Sequence, residues 1–352
     1  MDNNIYIVKI YFVICILTIF HPLIGQNSKS VFPDKNWIFS KPEKAGLNSD
    51  ILDSIEAMLG GRGCIIKNGY IVKIWGDSIE KSDWLSSVKP VFSTLLFFAI
   101  EEGLIPDVHY KINNLGWDLL DKDSDMEFYH LANMTSGYAR PEKPGEAWAY
   151  NDYAIQLYQK SLFERVFKEP PGKILYDRLG CLNFQDSIWF SDVKPRIYAS
   201  VRDFARIGLF WMNQGNWNGR QVLPKMYFEK YMKPQVEKTI PNTSESEIKN
   251  NDYLKIGTFG GGSDHFTQFG AGIYGFNWWF NNTGLLHQKE ITWPDGTSKT
   301  FMSIGAGGNN MLIIPEYQLI LASAKGNWGE LNPGDRNNKF NICIKLLLSS
   351  IR

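Results

Sequence analysis

The sequence carries no net charge, with 37 basic residues set against 37 acidic ones over 352 positions. A field that would gather polyanions is missing, which argues against nucleic acid and anionic membrane surfaces and leaves a small molecule as the expected partner. Histidine is scarce, five in all and without paired spacing, so no zinc site is legible and no cofactor is expected. Cysteine is scarcer. Cys15 falls in an N-terminal leader, and Cys64, Cys181 and Cys343 permit at most one disulfide, three inert buried thiols being the simpler reading. The glycine-rich stretch Phe259-Gly260-Gly261-Gly262-Ser263-Asp264-His265 lacks both the Gly-x-Ser-x-Gly elbow of α/β-hydrolases and the lysine of a phosphate loop. It reads as a loop at a pocket rim, with His265 a bystander.

A long apolar run is also missing: residues 10–20 are too few for a secure membrane span. They follow Lys9 and precede His21-Pro22-Leu23-Ile24-Gly25, the layout of an export signal ending at a small residue. Cleavage after Gly25 gives a periplasmic or secreted protein, and an uncleaved leader gives a membrane-anchored one.

Positive signals order the rest. Residues 49–58 read as a capped helix stopped by Gly60-Gly61, and Asn68-Gly69 joins residues 64–67 to 70–75 as a β-hairpin. A second hairpin is expected around Pro315-Glu316-Tyr317-Gln318, and a closing helix over 339–351. Strands at both ends with helices beside them predict an α/β (α+β) fold, with one antiparallel sheet built from 30–120 and 254–352 and a helix-rich insertion at 121–253.

The most informative stretch is Ser86-Ser87-Val88-Lys89, set directly before an apolar helix over 91–100 that is predicted to end at Gly103. A serine and a lysine three residues apart share one helix face, and burial beside a helix N-terminus disfavours the charged amine. A neutral amine can then activate the hydroxyl as a nucleophile. Pro90 must fall within the first helical turn, where its missing N–H costs nothing. The same spacing recurs at Ser78/Lys81, Ser191/Lys194 and Ser246/Lys249, but those lie in polar surroundings that do not lead into a buried helix.

Gly69-Tyr70-Ile71-Val72 with Trp75-Gly76, Ser86-x-x-Lys89, Glu101-Glu102-Gly103-Leu104-Ile105, His130-Leu131-Ala132-Asn133-Met134-Thr135-Ser136-Gly137, the block at 199–208 and Gly307-Gly308 before Pro315 occur in an order that resembles the serine β-lactamase-related family. That family includes class C β-lactamases, penicillin-binding D-alanyl-D-alanine peptidases and esterases. The resemblance implies a proton-shuttling tyrosine in a Tyr-x-Asn triplet. Here the triplet is Tyr150-Asn151-Asp152, with Asp152 where asparagine is usual. Asp152 could hold Lys89 charged and shift the role of base towards Tyr150, and packing of Tyr150 beside Trp148 is the plainer alternative. The resemblance also implies a Lys-Thr-Gly or His-x-Gly strand. This chain has Ser303-Ile304-Gly305-Ala306-Gly307-Gly308-Asn309-Asn310 and neither cation, so Gly307, Gly308 and Asn309 are the expected oxyanion strand.

The expectation is a serine hydrolase that cleaves an ester, amide or peptide through an acyl-enzyme. Ser86 is the nucleophile, Lys89 and Tyr150 handle the proton, and Trp148, Asp152, Tyr153 and Trp278 line the pocket. A non-catalytic protein that binds a ligand or cell-wall peptide in a degenerate site is the alternative.

Overall fold

Asn68 and Gly69 both take the left-handed backbone, φ 53° and 85°, and so form the tight turn between β1 (Arg62–Lys67) and β2 (Tyr70–Trp75). The computed structural model describes residues 30–191, 196–245, 251–258 and 269–352. The leader, Lys194, the Ser246/Lys249 pair and the glycine-rich stretch with His265 lie outside the described residues.

Upstream of the hairpin, α1 (Ser49–Leu59) is capped by Asn48, whose side chain accepts the Asp50 N–H. Downstream come β3 (Ser82–Asp83), α2 (Lys89–Glu101), α3 (Phe128–Ala132), α4 (Asp152–Lys160) and α5 (Pro171–Leu179). Next are β4 (Trp189–Phe190), β5 (Ile197–Ala199), α6 (Val201–Met212), the short pair β6 (Asn216–Trp217) and β7 (Arg220–Gln221), and α7 (Lys225–Tyr231). The chain closes with β8 (Tyr274–Gly275), β9 (Trp278–Phe280), β10 (Phe301–Gly305), β11 (Asn309–Ile314), β12 (Leu319–Ala324) and α8 (Lys339–Ser349).

Seven strands form one antiparallel sheet in the order β2-β1-β12-β11-β10-β9-β8, so early and late parts of the chain meet where Ile65 faces Leu321. β11 and β12 are buried along their whole length, which explains why their sequences run apolar without alternation. Helix α6 lies on β1, β11 and β12, although it falls within residues 121–253. Its Gly208 lets it close on the sheet, because a Cβ there would stand 2.4 Å from Met311 Sδ. Helices α1 and α8 pack on each other, and Leu47 bridges to Ile351 beside them. Beyond the sheet edge, β3-β5-β4 make a second, three-stranded sheet that leads into the turn bearing Ser86.

Candidate active site

The turn that carries Ser86 is fixed before the helix begins. Trp84 donates its N–H to Ile197 O at 3.1 Å, and Leu85 takes φ 50° while its N–H reaches Asp83 Oδ1 at 2.9 Å. A non-glycine residue in the left-handed region stores strain that the surrounding hydrogen bonds must hold. One 3-10 turn, Leu85–Val88, then places Ser86 immediately ahead of α2. Pro90 is the second residue of α2, within the first turn, and every residue of α2 up to Ala99 is buried.

Lys89 opens α2 with its side chain 7% exposed and its Nζ between two hydroxyls, 2.8 Å from Ser86 Oγ and 2.6 Å from Tyr150 Oη. A carboxylate oxygen of Asp152 lies 3.5 Å from the same nitrogen. Burial pulls the Lys89 ammonium below the usual lysine range; the Asp152 carboxylate opposes this and Arg196 adds to it. Arg196 stands just before β5 and pairs with Asp83 at 3.1 Å. Burial pushes the Tyr150 phenol in the other direction, well above its ordinary value, and Asp152 raises it further while a bond with Ser86 opposes. Burial thus penalises the charged form of each group, the ammonium of Lys89 and the phenolate of Tyr150.

Tyr150 is delivered by the entry to α4. Asn151 caps that helix, accepting the Ala154 N–H at 3.1 Å while its own Nδ2 donates to Tyr138 O at 2.6 Å. Asp152 follows in the first turn, where the helix dipole favours a carboxylate. The Tyr150 ring stacks on Trp279 with centroids 6.1 Å apart, and Trp148 and Tyr274 press on it from the sides.

The strand beside the nucleophile is β10, and its last residue makes the contact. A Cβ on Gly305 would stand 2.7 Å from Trp84 O and 2.9 Å from Ser87 N, so only glycine lets the strand close on this turn. Ser87 locks the approach from its side, donating to Asn309 O at 2.5 Å with Ser303 Oγ at 3.2 Å.

The structure places the remaining pocket candidates as follows. Gly308 turns to the neighbouring loop, its carbonyl accepting from Gly326 N and Ser323 Oγ, each at 3.2 Å. The Asn309 amide is buried as a turn staple, donating to Ala306 O at 2.8 Å and accepting from Lys325 N at 3.2 Å. Gly307 is exposed at the tip of that turn. The glycine that meets the nucleophile turn is thus Gly305, two to four residues before the expected run. Trp278 is fully buried, edge-on to Trp211 at 5.4 Å, and belongs to the core. Adjacent strand residues point to opposite faces, so it is Trp279 that reaches Tyr150. Trp148 and Tyr153 are also buried, at 0% and 6% exposure, and support Tyr150 and α4 rather than forming an open wall. Of the described rival serines, Ser78 lies in a turn and Ser191 in a loop, and Lys81 is committed to Ser187 Oγ at 2.6 Å. His130 is a capping residue of α3 that accepts the Glu127 N–H at 3.2 Å.

No family model matches the chain. An uncharacterized protein of Alkalihalophilus pseudofirmus is 22% identical over 265 residues, 66% of this chain and 69% of the relative. Among solved structures, a candidate 6-aminohexanoate-dimer hydrolase from Bacillus anthracis superposes with a TM-score of 0.59 at 14% identity, covering 92% of this chain and 87% of that one. A β-lactamase from Mycobacterium bovis does so with a TM-score of 0.58 at 15% identity, over 86% of this chain and all (100%) of that one. A β-lactamase/D-alanine carboxypeptidase from Yersinia pestis, complexed with citrate, has a TM-score of 0.58 at 13% identity, over 89% and 100% of the two chains. The mixed α/β architecture, the order of the seven strands and these superpositions together give the chain the fold of the serine β-lactamase and penicillin-binding-protein family.

Proposed function

We propose that the protein is a serine hydrolase that cleaves an ester or amide through an acyl-enzyme on Ser86. The observation that carries this reading is the buried Lys89 nitrogen, bonded at once to Ser86 Oγ and Tyr150 Oη. The neutral amine takes the Ser86 proton as Oγ bonds to the substrate's carbonyl carbon. The oxyanion so formed lies against the Ser86 N–H and the turn that begins at Ala306, since Gly305 brings that turn to the nucleophile and gives its own N–H to Asn310 Oδ1 at 3.0 Å. Tyr150 gives its phenolic proton to the departing oxygen or nitrogen, and the Lys89 ammonium restores it along their shared bond. Water then repeats the cycle on the acyl-enzyme. Lys89 and Tyr150 form one proton-handling unit, and its apparent pKa values belong to the pair.

The candidate 6-aminohexanoate-dimer hydrolase and the carboxypeptidase among the neighbours support amides as well as esters. Asp152 favours a second reading, a ligand-binding protein, because its carboxylate opposes the neutral amine that attack requires. Turnover decides between them. Comparing a short-chain p-nitrophenyl ester with nitrocefin on one preparation should give ester hydrolysis and a lower kcat/KM for nitrocefin, whose carboxylate finds no third-motif cation. Hydrolysis of neither supports the binding protein. The leader at 1–25 supports export, which an N-terminus at Gln26 in the mature protein would establish; no described helix is long and apolar enough to cross a membrane.

A further inference from the structure

A cavity of about 530 Å³ opens at the end of β10, and one of its walls belongs to the site described above while another packs beside it. One wall is Gly305, whose other side closes on Ser87 N. The other is Phe269, whose neighbour Gly270 lies so close to Trp148 that a Cβ would stand 1.9 Å from the indole, and Trp148 in turn flanks Tyr150. The cavity thus adjoins the strand end that meets the nucleophile turn and the segment that packs on Trp148. Its floor is apolar and closely packed. Trp328 and Phe340, 1% and 2% exposed, lie with ring centroids 5.1 Å apart beside Leu331, and the Trp328 Nε1 is already spent on Ser323 Oγ at 2.7 Å. The volume is within the range of small-molecule sites.

Charge decides which group fits. Among the described residues of the lining Glu330 is the one ionisable side chain, and the stem of Lys339 lies against Gly329 at the same rim, so these described walls offer an anion no net positive charge. Lys325, next to Gly326 of the lining, is paired with Glu80 at 3.3 Å. Desolvating a carboxylate on an apolar floor without a partner costs more than any contact there returns.

We propose that this cavity is the substrate-specificity pocket and that it takes an uncharged, largely apolar group from one flank of the scissile ester or amide. The inference rests on the hydrolase reading of Ser86. It is tested with two neutral ester series, one lengthening the acyl chain from acetyl to hexanoyl and one lengthening the alcohol, together with a carboxylate-tipped partner of each longest member. The protein should prefer the long member over acetyl or methyl by about tenfold in kcat/KM in one series, a few methylenes of apolar burial, and should discriminate against the carboxylate-tipped partner. Leu331→Trp fills the floor and should abolish that long-over-short ratio through KM. Glu330→Lys, at the exposed rim, leaves the floor intact and should raise the relative kcat/KM of the carboxylate-tipped ester. Chain-length ratios that are flat in both series, or that stay unchanged in a folded Leu331→Trp protein, overturn the pocket while leaving the hydrolase reading in place. Absence of ester turnover and of Ser86 acylation overturns both.

Discussion

A carboxylate oxygen of Asp152 stands 3.5 Å from the Nζ of Lys89, in a pocket where both side chains are nearly closed to solvent, at 11% and 7% exposure. Proximity of opposite charge holds the lysine proton on, while burial drives it off, and the second effect is the larger. On the proposed mechanism, that balance sets the pH dependence of turnover.

Attack requires neutral Lys89, so kcat/KM should rise with pH through a lysine pKa that lies below the ordinary 10.5. Asp152→Asn removes the attraction for the proton, lowers that pKa further and should move the acid limb to lower pH. Arg196→Gln removes a like charge and should move the limb the opposite way. Two pH–rate profiles of kcat/KM check both signs.

Lys89→Ala and Tyr150→Phe should each lower kcat/KM by roughly 10²–10⁴-fold, the range for one positioned acid or base. Because the two groups pass one proton along a 2.6 Å bond, the double variant should be little worse than either single one. Additive losses in ester turnover would show two independent roles.

Gly305→Val should displace the turn that carries Ser86, since its side chain begins 2.7 Å from Trp84 O and 2.9 Å from Ser87 N. A shift on that scale in a reacting group costs about 10²-fold. The loss should be seen in kcat with the secondary structure retained by circular dichroism.

Trp278 and Trp279 should separate by readout. Trp278→Ala empties a core site and should cost about 3–5 kcal/mol in denaturant unfolding, the usual range for a buried aromatic. Trp279→Leu removes the stack under Tyr150 and should lower kcat/KM by a larger factor than Trp278→Phe does.

What the sequence revealed tracks how local each signal is. The Asn68-Gly69 turn, the Ser86/Lys89 spacing and the limit on Pro90 depend on a few adjacent residues, and the fold has them where they were expected. Strand signals at both ends of the chain, with helices beside them, were enough for the antiparallel sheet that joins those ends. The sequence is least informative where a one-residue choice decides a direction. In β9, alternation sends Trp278 to the core and Trp279 to the site, and composition treats the two alike. In 305–309, five residues that include three glycines left no apolar pattern to set the register, and only the close approach to Trp84 and Ser87 singles out Gly305. The floor beneath that strand was illegible for a different reason. Trp328, Leu331 and Phe340 come from a loop and a helix start that no local spacing relates to Ser86.

The central claim, that Ser86 is the nucleophile activated by Lys89, is tested most directly by fluorophosphonate labelling followed by peptide mapping. The adduct should form on Ser86, vanish in Ser86→Ala, slow sharply in Lys89→Ala, and persist in Ser191→Ala and in Ser87→Ala, where the loss is of a hydrogen bond to Asn309 O. An adduct on Ser191 or Ser87, or labelling of Ser86 at the same rate without Lys89, would contradict it.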